Sequence, residues 1–319
     1  MKITQLKNHQ KPLLELQFQR GLSLVELLIA MVIGLFLMGG LVTNFISTKN
    51  SDKTRAITSE MDASAQTALN VLRQAITHAA YPSINNIELE KAFVTTDDFP
   101  TGSTGSQAIS NPNCSDGNAR DISPPQFENR TRDNGKSDRL MIVSLADNPS
   151  DSDSLVYYDC TGGGMTMNAH DIACSVDNMP NKKDAKIFSN FRINNRGRPA
   201  VPTLFCDGSR GGGQPIADNV YAIQYLYGVT RNPQDPAIAR TIYKNADAVE
   251  LADEWRLVNS VQIALLMRSE EQYVLDQAGK ASYKLLDETI TIRPDQRRRL
   301  YRIYSTTVNL ENMNKAPLL

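Results

Sequence analysis

The chain has 319 residues, 22% of them charged, with 34 Lys and Arg against 35 Asp and Glu for a formal net charge of −1. That balance gives no electrostatic support to a general polyanion-binding role, so no specific nucleic acid is expected as a partner. The four cysteines lack any Cys-x-x-Cys spacing, which excludes the common zinc patterns.

Residues 1–21 form a basic leader. Lys2, Lys7, Lys11 and Arg20 face one acid, Glu15, for a net +3, and a segment of that sign is held on the cytoplasmic side of a membrane. The rest of the chain is acidic, at −4. After Gly21 an apolar run occupies 22–46, or about 37 Å of helix, enough to cross a bilayer. A secretory signal would close after an apolar stretch of about 7 to 15 residues at a small-residue cut site, so this run reads as a retained membrane helix. One acid, Glu26, lies near its start. A carboxylate inside a membrane helix is costly unless paired, so Glu26 points to a cation supplied from elsewhere. Ala30 and Gly34, then Gly39 and Thr43, stand four apart, and small residues at that spacing let helices approach closely.

The helical period continues past the apolar run. Met61, Ala65, Leu69, Leu72, Ile76 and Ala79 recur at steps of three and four and predict an amphipathic stripe on a core, until Tyr81-Pro82 ends it. The expected division is leader 1–21, membrane half of the helix 22–46, amphipathic half 47–81, and a β-rich globular domain 82–319. Turn formers dominate 84–137, an expected irregular excursion. Strand signals start at 139–143 and 155–158, and a second loop-rich stretch is expected over 162–213. Three longer strands follow, in which Tyr221, Ile223, Tyr225 and Tyr227 alternate, as do Val261, Ile263, Leu265 and Met267, and Tyr304, Thr306, Val308 and Leu310. The predicted class is α+β, one dominant helix against one face of an antiparallel sheet, with long disulfide-tied loops.

An even number of cysteines in an oxidising compartment favours two disulfides among Cys114, Cys160, Cys174 and Cys206. Three connectivities are open. The preferred one joins Cys160 to Cys174 across a short Gly-rich loop and Cys114 to Cys206. Enzyme motifs fail: there is no Gly-x-Ser-x-Gly and no His-Glu-x-x-His, and Gly135-Lys136-Ser137 lacks a P-loop's upstream glycine because position 130 is Arg130. No catalytic residue, cofactor or metal is expected. Asp147, Asp151 and Asp153 share a loop without EF-hand order and read as a solvated turn rather than a calcium site. His78 reads as packing or capping, His170 as exposed, and Trp255 as an anchor for the strand after it. The basic cluster Arg293, Arg297, Arg298, Arg299 and Arg302 reads as a solvated turn in preference to a surface for an acidic partner or DNA.

The basic leader, Gly21, Leu22-Ser23-Leu24-Val25-Glu26-Leu27 and the unbroken apolar helix resemble the class III signal of type IV pilins and pseudopilins. Leu22 stands where most members have Phe, and the leader is longer than many. The tract 59–81 and the strands that contain Tyr221-Ala222-Ile223-Gln224-Tyr225, Ser260-Val261-Gln262-Ile263 and Tyr301-Arg302-Ile303-Tyr304 resemble the PilW group of minor pilins. The resemblance implies a type IV pilin-like fold. It implies prepilin peptidase cleavage between Gly21 and Leu22, N-methylation of Leu22, and a role for Glu26 in neutralising the terminal amine of a neighbouring subunit. It also implies a low-abundance subunit, first in the inner membrane with its C-terminal domain periplasmic and then in the pilus near its tip. Implied partners are other minor pilins, the major pilin, the inner-membrane assembly platform and an adhesin-like tip protein. A minor pseudopilin of type II secretion and a tip-exposed binding module for surfaces or DNA are the alternatives.

Overall fold

The computed structural model describes residues 23–80, 92–93, 130–132, 135–146, 156–161, 164–166, 185–197, 200–208, 213–231 and 240–313. The first element is α1 (Leu24–His78), 55 residues with no proline. The chain divides into two units inside this helix, residues 1–55 and 56–319.

In the second unit α1 buries Ile57, Met61, Ala65, Ala68, Leu72 and Ile76. This is the expected stripe, with one change. Ala68 takes the buried position and Leu69 packs half-buried on its flank, since position 68 completes the four-residue step to Leu72 on a 3.6-residue helix. Beyond His78 the chain turns at Ala80, whose φ of 54° closes the helix in the left-handed conformation. Its orphan carbonyls find donors: the Asn312 amide donates to Thr77 O (3.2 Å) and to Ala79 O (3.1 Å).

The strands are β1 (Arg130–Arg132), β2 (Gly135–Ser137), β3 (Leu140–Ala146), β4 (Val156–Tyr158), β5 (Gly164–Thr166), β6 (Ala185–Arg196), β7 (Val201–Gly208), β8 (Gln214–Asp218), β9 (Val220–Arg231), β10 (Arg240–Lys244), β11 (Val258–Arg268), β12 (Ser282–Leu285), β13 (Glu288–Thr291) and β14 (Tyr301–Asn309). A short helix, α2 (Ala246–Leu251), lies between β10 and β11. Two antiparallel sheets, ordered β10-β9-β11-β14 and β3-β6-β7-β8, are accompanied by the hairpins β1-β2, β4-β5 and β12-β13. The chain passes from the second sheet to the first through one residue, Asn219, at φ 63°, a conformation Asn tolerates better than most residues.

The α+β expectation holds, and three details differ. First, β5, β6 and β7 occupy the stretch 162–213 expected to be loop, and β1 and β2 the end of the expected excursion 84–137: β6 is mostly polar, with Phe191 and Ile193 alternating over a short run only, β7 carries Pro202, and β1, β2 and β5 are three residues each, too short to show a period. Second, the sheet of the three long strands is covered on both faces rather than one. Ile223, Tyr225, Val261, Ile263, Leu265 and Val308 share a core with α1, whereas Ala222, Ala264, Leu266 and Tyr301 pack with Leu285, Ile290 and Ile292 from the β12-β13 region. Tyr221 belongs to this second face, opposite Ile223. The register between β9 and β11 shifts at Leu266/Met267, and such a bulge interrupts the two-residue period. Third, Cys160 is bonded to Cys206, with Cα atoms 6.0 Å apart across 46 residues, which replaces both expected bonds, Cys160–Cys174 and Cys114–Cys206. Sheet geometry decides this pairing, not loop length. Cys206 lies opposite Phe191 on β6, and the Cys160 N–H donates to Ser189 Oγ (3.2 Å) on the same strand. Cys114 and Cys174 lie outside the described residues.

Candidate functional site

The start of α1 holds the residues of greatest interest. Ser23 caps it: its Oγ accepts from the Val25 N–H (3.3 Å) and its carbonyl from the Leu27 N–H (3.1 Å). Glu26 follows in the first turn, where the helix dipole favours an acid. That placement suits the helix end, yet Glu26 is exposed and no donor or cation bonds it among the described residues. Around it Leu24, Val25, Leu27, Leu28 and Ile29 are exposed, as are Leu35, Phe36 and Leu37 further along. No other charged residue occurs between positions 24 and 48. Nothing in this apolar run is buried, and the helix is long and apolar enough to cross a membrane.

A side chain added at Gly34 or Gly39 would meet nothing within 4 Å, so both positions are open notches on the helix. Thr43 Oγ donates back to Gly39 O (2.8 Å), which satisfies its hydroxyl inside the helix. Ala30 is exposed on the same run. Gly21 and Leu22 lie outside the described residues.

Among the globular-domain candidates, Asp147, Asp151, Asp153 and His170 lie outside the described residues. Among the described residues no group of three or more His, Cys, Asp or Glu is placed to hold a metal. His78 is exposed and borders a cavity of about 280 Å³ with Gln74, Val143, Asp159 and Cys160. Trp255 is buried against Phe93 and Tyr227, with ring centroids 5.5 and 4.9 Å away, and its indole N–H donates to Glu250. It precedes β11 directly and anchors its start.

Three side-chain arrangements were not visible in the chain's periodicity. Asp62 on α1 receives Arg302 (3.0 Å) and the Tyr304 hydroxyl, which ties the packed half of the helix to β14. Glu254 is buried between Lys244 and Arg231, whose bonds hold its carboxyl below the usual range. Asp138 closes the part of β9 that β10 does not reach. Its N–H donates to Ile223 O (2.9 Å), and its Oδ2 accepts from the Tyr225 N–H (3.0 Å). Burial pushes the Asp138 carboxyl up to about 7 against the pull of that N–H, with Asp287, Glu288 and Asp247 adding to the rise.

Residues 16–42 match the prokaryotic N-terminal methylation motif, and residues 191–312 match the PilW family, Type IV Pilus-assembly protein W. No curated protein gives a significant match. A type IV-like pilin from Thermus thermophilus superposes at a TM-score of 0.26 with 12% identity, over 56% of this chain and 78% of that one, too loosely to bear on the fold. The methylation motif and the apolar helix together fit membrane anchoring.

Proposed function

We propose that this chain, which carries a PilW domain behind a prepilin methylation motif, acts as a minor pilin of a type IV pilus. It is cleaved between Gly21 and Leu22 and methylated at Leu22, and it helps to prime assembly with other minor pilins and the major pilin at the inner-membrane platform. The supporting observation is Glu26, the one charge between positions 24 and 48 of the exposed apolar half of α1 and without a partner in its own chain among the described residues.

Cleavage would create an ammonium group at Leu22, one helical turn before Glu26. In a bundle of such helices, Glu26 of one subunit and the terminal amine of the next each lose water, and their pairing offsets both losses. Apolar helices gain little from one another in lipid, so this pair sets the register while Ala30, Gly34, Gly39 and Thr43 set the distance. The +3 leader keeps the amino end cytoplasmic and places the remainder in the periplasm. The Cys160–Cys206 bond agrees with that oxidising compartment. No catalytic role is proposed.

Glu26→Val is expected to leave membrane insertion intact and to lower the protein recovered in sheared pili by about tenfold, the effect of losing roughly 1.4 kcal/mol of pairing. Mass spectrometry of the sheared fraction reads both the amount and the N-terminal residue. Undiminished recovery of the variant, or a mature protein that still begins at Met1, would sink this reading.

A further inference from the structure

The turn over 293–299 carries four arginines against one carboxylate, Asp295. Arg297 Nε donates to Ile292 O (3.2 Å), Arg298 to Leu275 O (3.1 Å) and Asp276 O (3.0 Å), and Arg299 to Ser269 O (2.8 Å) and Glu270 O. These bonds hold each guanidinium rigidly and leave its charge whole, because a backbone carbonyl is neutral. The turn is therefore an arginine knot fastened to the main chain, not the solvated turn its composition suggests.

Beneath it the arrangement is more pronounced. Arg299 Nε (2.9 Å) and Arg268 Nη1 (3.3 Å) both donate to one amide oxygen, Gln296 Oε1. Arg268 is 6% exposed, its other bond goes to Ala200 O (3.2 Å), and its Nε has no acceptor. The buried Tyr221 hydroxyl nearby also lacks a partner. Burial, then repulsion from Arg299, brings the Arg268 guanidinium down to about 10. Among the described residues the one carboxylate that reaches this turn's arginines is Asp295, 3.8 Å from Arg293, with both side chains more than half exposed.

We propose that this turn is a docking site for a carboxylate-bearing segment of another protein chain. Arginine forks match a carboxylate with two parallel bonds, and fixed forks lose little freedom on binding. Exposed Arg293 and half-buried Arg297 and Arg298 supply the donors, Arg299, whose Nε and Nη1 are already bonded, and Arg268 add charge from below, and Tyr273, 63% exposed and stacked 4.9 Å from the Arg298 guanidinium, supplies an aromatic edge. A protein segment fits better than nucleic acid. The basic spot is one turn long and is bordered by exposed Glu270, Glu271 and Asp276, so a long polyanion would run off it onto like charge. The inference does not rest on the pilin reading.

The test uses the full-length protein in nonionic detergent, with fluorescence anisotropy of labelled hexaglutamate and of a short single-stranded DNA at one ionic strength. Hexaglutamate binding is expected to weaken about threefold in Arg293→Gln and about tenfold in Arg293→Gln/Arg299→Gln, with Arg240→Gln on β10 unchanged. Arg293→Gln keeps the test independent of folding, since that side chain pairs with Asp295 alone among the described residues. Equal binding of hexaglutamate by the wild type and Arg293→Gln, or tighter binding of the DNA than of hexaglutamate, overturns the proposal.

Discussion

Residues 24–46 and residues 57–78 of α1 are both rich in apolar side chains, yet the first set stands exposed around the whole helix and the second is confined to one buried stripe. Leu35 is 73% exposed and Leu72 is 0% exposed. The difference teaches that one continuous helix can be matched to two solvents. An all-round apolar surface suits lipid, where neighbouring helices are chosen by notches and a charge, whereas a stripe suits a core built on sheets. Each half has its acid. Glu26 waits without a partner, and Asp62 is already bound by Arg302 and Tyr304.

The contrast can be broken by measurement. Leu72→Ala is expected to lower the unfolding free energy by about 3 kcal/mol, read by chemical denaturation in detergent with Trp255 fluorescence, because it opens a cavity in the packed half. A loss as small as that of a surface change would mean that the stripe does not hold the domain. Next in size is a pH effect confined to the globular unit. The Asp138 carboxyl stands at about 7 in the fold against an ordinary 3.8, so the folded state binds more protons between those values and stability falls as pH rises through them. The fall is on the order of 2 to 3 kcal/mol between pH 5 and pH 8. Asp138→Asn keeps an acceptor for the Tyr225 N–H and should flatten that slope; a slope that survives assigns the titration to other groups. Smallest is Leu35→Ala, expected within about 0.5 kcal/mol of wild type in the same denaturation assay. A larger cost would show that the apolar half is packed after all.

How far the sequence could be read follows the same contrast. The long helix, β9, β11 and β14 were legible because their apolar residues recur at clean periods of 3.6 or 2. Glu26 was legible because a charge inside an apolar run is conspicuous. The second sheet was not: Asn190, Arg192 and Asn194 give β6 a polar face, Ser189 and Asn195 dilute the other, and Pro202 interrupts β7, so its strands are held by pairing partners that a local window does not contain. Tyr221 departs from the face its alternation predicts because a bulge is a property of two strands. The Cys160–Cys206 bond and the Asp138 strap likewise depend on segments far apart in the chain, as does Arg268, whose environment is assembled from residues 200, 296 and 299.

The clamp on the end of α1 also fixes an order of events during synthesis. Asn312 lies 235 positions after Thr77, and Tyr304 lies 242 after Asp62, so α1 is completed by a strand that leaves the ribosome long after it. Until the sheets that share their core have formed, Ile57, Leu72 and Ile76 lack their packing partners and make an adhesive ridge on the growing chain. Chains arrested before Tyr301 are thus the form that chaperones and proteases must meet.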